Sequence, residues 1–597
     1  METVSRCLVL PSTYRDSVWL MHLSSSLEDL PQVQQVAVMM GASHNKALLQ
    51  AAGLLTPEGA ASGATDLLVC VRAATPAAAQ AALQAAEERL AHQPQRSGEL
   101  PDEMAPRSLD TALRRLPAAN LACISVPGAY AAEEARKALQ RGLHVFLFSA
   151  HVALEDEIAL KQLAAQQGLL LMGPDCGTAI LHGLPLGFAN QLPRGPVGLI
   201  AASGTGLQQV SCLLAQQGLG VSQAIGVGGR DLHARVGGHS MRAALQALAQ
   251  DAATRVLVLL AKPPAPAVAA RLMQEAAATG KPCVVAFLGD TEARPPGGTV
   301  YPVSTLAEAA RVAAALAGGR PVPRGEQDIP AHLSAAVQAA AASLHPEQRL
   351  LRALYCGGTL AHEALTLLRR TGAPVCSNLD ETLMAGATAS HLVLDLGGEE
   401  FTQGRPHPMI DPGVRRQHLV EAARDPAVAV VLCDVMLGWG AHADPAGALA
   451  TAWAEALAVA RAAGRHLLGL AHVCGAPDDP QDFAAQCARL RQQGFILADS
   501  NAQAVYLAAA ALGTPVPVSP PALAATAPDR HAQPSLPPVS MPEQLAALLA
   551  TGPRVINVGL EMFATQLAAQ GVPVVQVDWR PPAGGDTRLA SLLARLR

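Results

Sequence analysis

The sequence predicts a multidomain α/β protein with doubly wound parallel sheets, and three observations carry that prediction. Short continuous apolar runs alternate with helical patterns along most of the 597 residues, as in strand–helix–strand units whose strands are buried on both faces. Half of the residues are hydrophobic while 3% are aromatic and 15% charged, so the cores are assembled from Ala, Val and Leu in layers. One junction also occurs twice. The apolar run Val197 to Ala202 meets Ser203-Gly204-Thr205-Gly206 before the amphipathic stretch Leu207 to Gln217, and Gly357-Gly358-Thr359 repeats the arrangement. Each following helix is expected to end at a glycine, Gly218 or Gly372, at the same offset from its turn.

In chain order, residues 1–115 form a first α/β region, with strands at Cys7 to Leu10, Val36 to Met39 and Asp66 to Val71. The polar, Pro-containing stretch Gln93 to Arg107 is an exposed connection. A βαβ series occupies 116–194: strand Leu121 to Val126, helix Ala131 to Arg141, strand His144 to Phe148, helix Leu154 to Gln167, and strand Leu169 to Met172 broken by Gly173-Pro174. The first Gly-turn module covers 195–318, with later strands at Val256 to Leu260 and Cys283 to Phe287. Gly318 to Pro330 reads as a linker, and the second module covers 345–512 with strands at Val428 to Leu432 and Leu467 to Leu470. A Pro/Ala-rich connection, Thr514 to Pro542, leads to a small βαβ piece over 550–597.

Charge and composition exclude several functions. A net charge of −5 and few aromatic residues argue against nucleic acid or an anionic membrane as partner. No apolar run is long enough to span a bilayer, and Met1 to Arg6 lacks the apolar core of a signal peptide. The 11 cysteines are scattered, without a C-x-x-C pair. They read as small buried hydrophobes in a reducing, cytoplasmic setting, neither a disulfide framework nor a zinc site. His362-Glu363 lacks the second histidine of a metalloprotease helix, and Gly280-Lys281-Pro282 lacks the P-loop spacing. No metal site is expected.

A strand–Gly turn–helix junction aims unpaired backbone N–H groups, backed by the positive end of the helix dipole, at whatever lies above the sheet. The candidate phosphate- or substrate-binding residues are therefore Ser203, Gly204, Thr205 and Gly206, then Gly357, Gly358 and Thr359, with Gly228 and Gly229 from the loop after the next strand. The alternative is that these glycines only end strands. Ser203 does not fit a hydrolase elbow, because Ala201 stands where G-x-S-x-G has its first glycine. Three prolines stiffen Gly404 to Pro412 and hold Arg405, His407 and Asp411. Arg405 is shaped to clamp a carboxylate or phosphate; a rigid surface loop with a local Arg–Asp pair is the competing reading. Asp434 lies at a C-terminal strand edge, where open α/β sheets bind ligands, and reads equally as a helix cap. Asp231 carries the same two readings.

From Leu121 to Gly318 the chain resembles the α subunit of succinyl-CoA synthetase, in the ADP-forming acyl-CoA synthetase superfamily. Val126-Pro127-Gly128-Ala129-Tyr130-Ala131, Gly173-Pro174-Asp175-Cys176-Gly177 and Gly198 to Thr205 carry the likeness, with Gly226-Val227-Gly228-Gly229. The second module resembles the ligase domain of that family's β subunit. Over nearly the whole length the chain resembles the FdrA family, through Val38 to Gly41 with Asn45 to Leu49, Leu154 to Ile158, Met172 to Thr178, Ala224 to Leu232, Gly404 to Pro412 and Trp579 to Gly585. The resemblance implies a Rossmann-like CoA-binding-type domain and two flavodoxin-like ligase-CoA modules.

It also implies losses. The segment matching the phosphohistidine loop of the synthetases, Leu288 to Gly298, contains no histidine, and no ATP-grasp domain is present. The CoA loop is reduced to Gly41-Ala42-Ser43-His44-Asn45, which makes CoA a doubtful cofactor. What remains is the pair of helix N-termini that hold the phosphoryl group in those enzymes. FdrA-type proteins are associated with an oxamate carbamoyltransferase of allantoin degradation, working with partner protein subunits in a hetero-oligomer. It converts oxalurate and phosphate into oxamate and carbamoyl phosphate, with phosphate as a substrate and Arg405, His407 and Asp434 as candidate catalytic residues. The alternatives are an acyl-CoA synthetase-like ligase with its nucleotide site on another chain, and a scaffold that binds phosphate or CoA without catalysis.

Overall fold

A computed structural model of the protein describes residues 3–11, 13, 17–28, 30–63, 66–91, 105–289, 298–323, 329–380, 390–402, 406–516 and 541–581. Arg405, the 290–297 part of the segment compared with the synthetases' phosphohistidine loop and the 582–585 part of the tail motif lie outside these residues.

The N-terminal unit is antiparallel. Strand Leu67–Ala73, buried almost throughout, sits between Val4–Leu10 and Val33–Met40. Helices Ser17–Glu28 and Pro76–Ala91 cover one face through Leu20, Leu23, Ala79 and Ala82, while Leu49 and Leu54 cover the other. Two expectations are corrected here. Cys7 and Cys70 are direct cross-strand partners with Cα atoms 4.1 Å apart, and they form a disulfide, whereas nine cysteines are free. Gly41 to Asn45 links the edge strand Val33–Met40 of this small sheet to helix Ser43–Ala51, and Gly41 packs against Gly63 and Asp66; it is not the first loop of a Rossmann unit.

That unit's sheet is parallel throughout, in the order Val574–Val577, Val555–Val558, Leu121–Ile124, His144–Leu147, Leu171–Met172. The C-terminal βαβ piece, read from sequence as a unit by itself, thus supplies two strands of the 116–194 domain. The reason is edge pairing: Val555 to Val558 bond along Leu121 to Ile124, and Trp579 stacks edge-on against Tyr130 with ring centroids 5.5 Å apart. Helix Leu109–Arg115 joins the same core through Leu109 and Ala112, which moves the first boundary back from 115.

Each Gly-turn module is an open sheet with parallel central strands. The first has the order Val300–Pro302, Cys283–Phe287, Val256–Ala261, Arg194–Ala201, Val221–Gly226, then the hairpin Thr178–Leu181 and Leu184–Gly187, which pairs antiparallel and comes from before residue 195. The second has Val375–Ser377, His391–Asp395, Leu350–Tyr355, Val428–Met436, Leu468–Cys474, Ile496–Ala498. Among the described residues no helix is long and apolar enough to cross a membrane.

The two modules share one core. Helix Gly204–Gln216 packs against helix Leu306–Ala317 of its own module and against Gly358–Arg369 of the other, which in turn packs on Asn501–Ala511. Leu207 to Gln217 reads as amphipathic, yet both faces of this helix are buried. Its polar residues are paired across the joint: Gln209 Oε1 lies 2.7 Å from His472 Nε2, and Gln208 donates to Asn190 at 3.2 Å. Asn190 donates to Asp479 at 2.6 Å. These directional bonds fix the relative position of the modules, while Gln208 Oε1 and Gln209 Nε2 have no partner among the described residues.

Candidate functional site

The two duplicated junctions meet each other. Ser203 is the N-cap of helix Gly204–Gln216 and accepts from the Gly206 N–H at 3.0 Å. Its Oγ also shares a 2.6 Å hydrogen bond with Thr359 Oγ1, in the first turn of helix Gly358–Arg369. In return the Thr359 N–H donates to Thr205 Oγ1 at 3.2 Å. Two positive helix ends are therefore held together by hydroxyl groups, an arrangement that is repulsive unless negative charge lies nearby. The N–H groups of Gly204, Thr205 and Gly358 have no hydrogen-bond partner among the described residues.

Asp434 supplies part of that charge. It is fully buried in strand Val428–Met436 and accepts from the N–H of Cys356 at 2.8 Å and of Gly357 at 2.7 Å. Arg415 donates to its Oδ1 at 2.5 Å and to its backbone carbonyl at 2.6 Å, and also contacts Cys356 Sγ. Of its two sequence readings, Asp434 occupies that of the cap. Asp231 does the same for helix His239–Gln250, accepting from Ser240 and Met241 at 3.1 and 2.9 Å.

His407 lies beside the second junction. Its Nδ1 accepts from the Met409 N–H at 3.2 Å, which places the proton on Nε2, and its ring lies 6.1 Å from that of Phe188. Burial, with Arg415 adding to it, pushes its pKa down to about 4, so the ring is neutral. Gly228 and Gly229 follow strand Val221–Gly226 and pack over Pro174 and Asp175. The Pro174 carbonyl lies 2.3 Å from where a Cβ on Gly228 would be, and φ there is +87°. Asp175 is exposed, and both Lys262 and Arg230 act on its carboxyl.

Two residues not singled out in the sequence stand at the same place. Asp395 ends strand His391–Asp395 and is 9% exposed. Its Oδ1 accepts from the Gly397 N–H at 3.0 Å. Its Oδ2 lies 2.5 Å from the position of a Cβ on Gly358, so only glycine admits the carboxylate to that helix end. Burial pushes the Asp395 carboxyl up to about 6, against the pull of Lys262 and the Gly397 N–H. Lys262 follows strand Val256–Ala261, is exposed, and has no hydrogen bond or ion pair among the described residues; it acts on Asp175, Asp395 and His362. The signal for both was positional. Each closes a buried parallel strand at its C-terminal end, where ligands collect above open sheets, and Lys262 neighbours the Ser203 strand through the Ala202 N–H to Leu260 carbonyl bond of 2.9 Å.

In the Rossmann-like unit a CoA cradle would lie where the strand order reverses, between Val555–Val558 and Leu121–Ile124. Gly559 is pressed against Ser125, the Leu560 N–H is taken by Ser125 Oγ at 2.8 Å, and Glu561 places a carboxylate in the first turn of the following helix. These residues do not fit a pyrophosphate.

Comparison with known proteins places these features in context. Residues 354–511 match the family described as CoA-ligase, and residues 1–105 the one described as AllF, heavy metal-associated domain. No group of three or more His, Cys, Asp or Glu that could hold a metal exists among the described residues, and Cys7 and Cys70 are already bonded to each other, so no metal is assigned. The chain is 41% identical over 510 residues to the protein YahF of Escherichia coli K12, spanning 84% of this chain and 98% of that one. It is 27% identical over 190 residues to the α subunit of the ADP-forming succinate–CoA ligase of Staphylococcus epidermidis, spanning 30% of this chain and 59% of that subunit. The solved apo form of a dinucleotide-forming acetyl-coenzyme A synthetase 1 from Ca. Korarchaeum cryptofilum aligns with 66% of this chain and 84% of its own, at 16% identity and a TM-score of 0.28.

Proposed function

Because the chain belongs to the FdrA/AllF-like, succinyl-CoA-ligase-like family, we propose that it is the phosphate-handling subunit of an oxamate carbamoyltransferase that works with partner subunits. The observation that carries this reading is the meeting of two helix N-termini within one chain, joined by the 2.6 Å Ser203–Thr359 bond. A phosphate oxygen placed there meets unpaired N–H groups from both helices and the ammonium of Lys262. Each helix end contributes up to about 2 kcal/mol for a well-placed anion.

In the reaction, an oxygen of monohydrogen phosphate attacks the carbamoyl carbon of oxalurate. The new O–C bond forms carbamoyl phosphate, the C–N bond to oxamate breaks, and the proton leaving phosphate ends on the departing nitrogen. Atoms balance without ATP and without a protein nucleophile. Arg405 is assigned to the oxalurate carboxylate. His407, neutral and with its proton on Nε2, is a donor for the carbamoyl oxygen.

The native assembly, purified through a tag on this chain, is expected to release carbamoyl phosphate from oxalurate and inorganic phosphate. Absence of product with all partner subunits present would sink the proposal. A second test concerns the joint itself. The double variant Thr205→Val, Thr359→Val removes both bonds between the helix ends while keeping side-chain volume, a loss of about 2 kcal/mol at ordinary hydrogen-bond strength. Phosphorolysis is expected to fall by roughly 30-fold; an unchanged rate with unchanged phosphate affinity would remove the joint from the site.

A further inference from the structure

We infer that Asp395 is the proton carrier of this site: it takes the proton from the attacking phosphate and delivers it to the departing nitrogen. The inference rests on the phosphorolysis reading above and adds a residue to it. Of the two carboxylates at the second helix end, Asp434 is saturated by two backbone N–H groups and Arg415. Asp395 is not. One oxygen is fixed by the Gly397 N–H, and the other faces Gly358 with no partner among the described residues. Its backbone is held by Asn378, which donates to the Asp395 carbonyl at 2.9 Å and accepts from its N–H at 2.9 Å. The carboxyl is therefore positioned but free to exchange a proton.

The charged groups around it act in opposite directions. Burial disfavours the carboxylate most, and Asp434, on Val428–Met436, and Glu400, on the short helix Glu399–Thr402, add to it, while Lys262, on the loop after Val256–Ala261, opposes them. A phosphate dianion bound at Gly358 adds negative charge beside Oδ2 and strengthens the pull on a proton. The donor is the phosphate itself. The O–H bond of monohydrogen phosphate breaks as its oxygen attacks carbon, and the proton passes to Oδ2. It then passes to nitrogen as the C–N bond breaks, and Asp395 ends ionised as it began. A buried carboxyl raised to about 6, within reach of neutral pH, suits both transfers.

The test compares the native assembly with its Asp395→Asn and Asp395→Glu forms in two measurements. Inorganic phosphate binding is read by calorimetry, and carbamoyl phosphate formation is followed from pH 5 to 8. Asp395→Asn is expected to bind phosphate at least as tightly as the parent, since a nearby carboxylate is gone, while kcat falls by about 10²- to 10⁴-fold. The parent-to-Asn rate ratio, in which the titration of phosphate itself cancels, is expected to be large above pH 6 and to collapse below it. Asp395→Glu is expected to restore part of the rate. An Asn form with parental kcat, or a rate ratio that does not change with pH, overturns the assignment to Asp395. Failure of the parent itself to bind phosphate or make product would instead overturn the phosphorolysis reading.

Discussion

Lys161→Met is expected to destabilise the first Gly-turn module by about 3–5 kcal/mol, the usual result of breaking a buried ion pair by removing one partner. Lys161 and Asp231 are both fully buried, with Nζ 2.6 Å from Oδ1. The same ammonium donates to the Val227 carbonyl at 3.0 Å and lies 3.3 Å from Glu157. Glu157 keeps Arg230 at 2.9 Å, but Asp231 would retain only the Ser240 and Met241 N–H groups. Because the module holds the Gly228–Gly229 loop against Pro174, the damage is expected to spread to the Asp175 side of the site. Hydrogen exchange in the full-length variant, read at helix His239–Gln250, is the measurement. Protection within about 1 kcal/mol of the parent would mean that the ammonium is not needed for charge balance there. The double variant Lys161→Met, Asp231→Asn is expected to recover part of the loss, because it removes the orphaned charge.

Stability is expected to fall steeply as the pH drops from about 6.5 towards 4, and histidine burial sets that window. Burial pushes the pKa values of His144, His407 and His472 down to about 4, against about 6.5 in an unfolded chain. Below 6.5 the unfolded chain binds protons that the folded one does not, so stability that is complete above that pH is lost as the folded values are approached. A shift of that size is worth on the order of 3 kcal/mol per histidine. The three sit in three places: the Rossmann-like sheet, the second junction and the joint between modules. Thermal melts between pH 8 and pH 4 are the test. A flat profile from pH 7 to pH 5 would show that these rings reach solvent or a partner for their protons. His407→Gln, measured in parallel, is expected to shift the curve by one histidine's share.

The duplicated junctions are an instance of what the sequence states openly. Strand, small-residue turn, helix and terminal glycine are local events, fixed by steric freedom and by the apolar period of a few residues. They appear in the structure as helix Gly204–Gln216 before Gly218 at φ +74° and helix Gly358–Arg369 before Gly372 at φ +76°. The parallel sheets were legible for the same reason: strands buried on both faces carry unbroken apolar runs, as in Val256–Ala261 and Val428–Met436. Asp434 was legible from the strand that carries it and Asp231 from the glycine loop before it, but position alone could not distinguish a ligand group from a cap.

The pairings between distant segments were not legible. Cys7 and Cys70 are 63 residues apart and meet only because their strands are neighbours. The tail strand Val555–Val558 completes a sheet begun more than four hundred residues earlier. The amphipathic period of Leu207 to Gln217 is local, but it does not say that the second module covers the polar face. Asp395 and Lys262 carry only the signal of standing at strand ends, shared with many other residues, because their importance lies in what they face.

The sequence by itself determined the fold class, the two Gly-turn modules and the two helix N-termini, because each depends on residues within one turn or one strand of each other. The tertiary structure decided that those helix ends touch through Ser203, Thr205 and Thr359, that Asp434 is held by Arg415, and that Asp395 and Lys262 stand beside them. Those facts depend on which faces are buried against which, and hydrophobic burial is non-directional. It requires that the apolar faces be covered, and only the packed chain specifies by what.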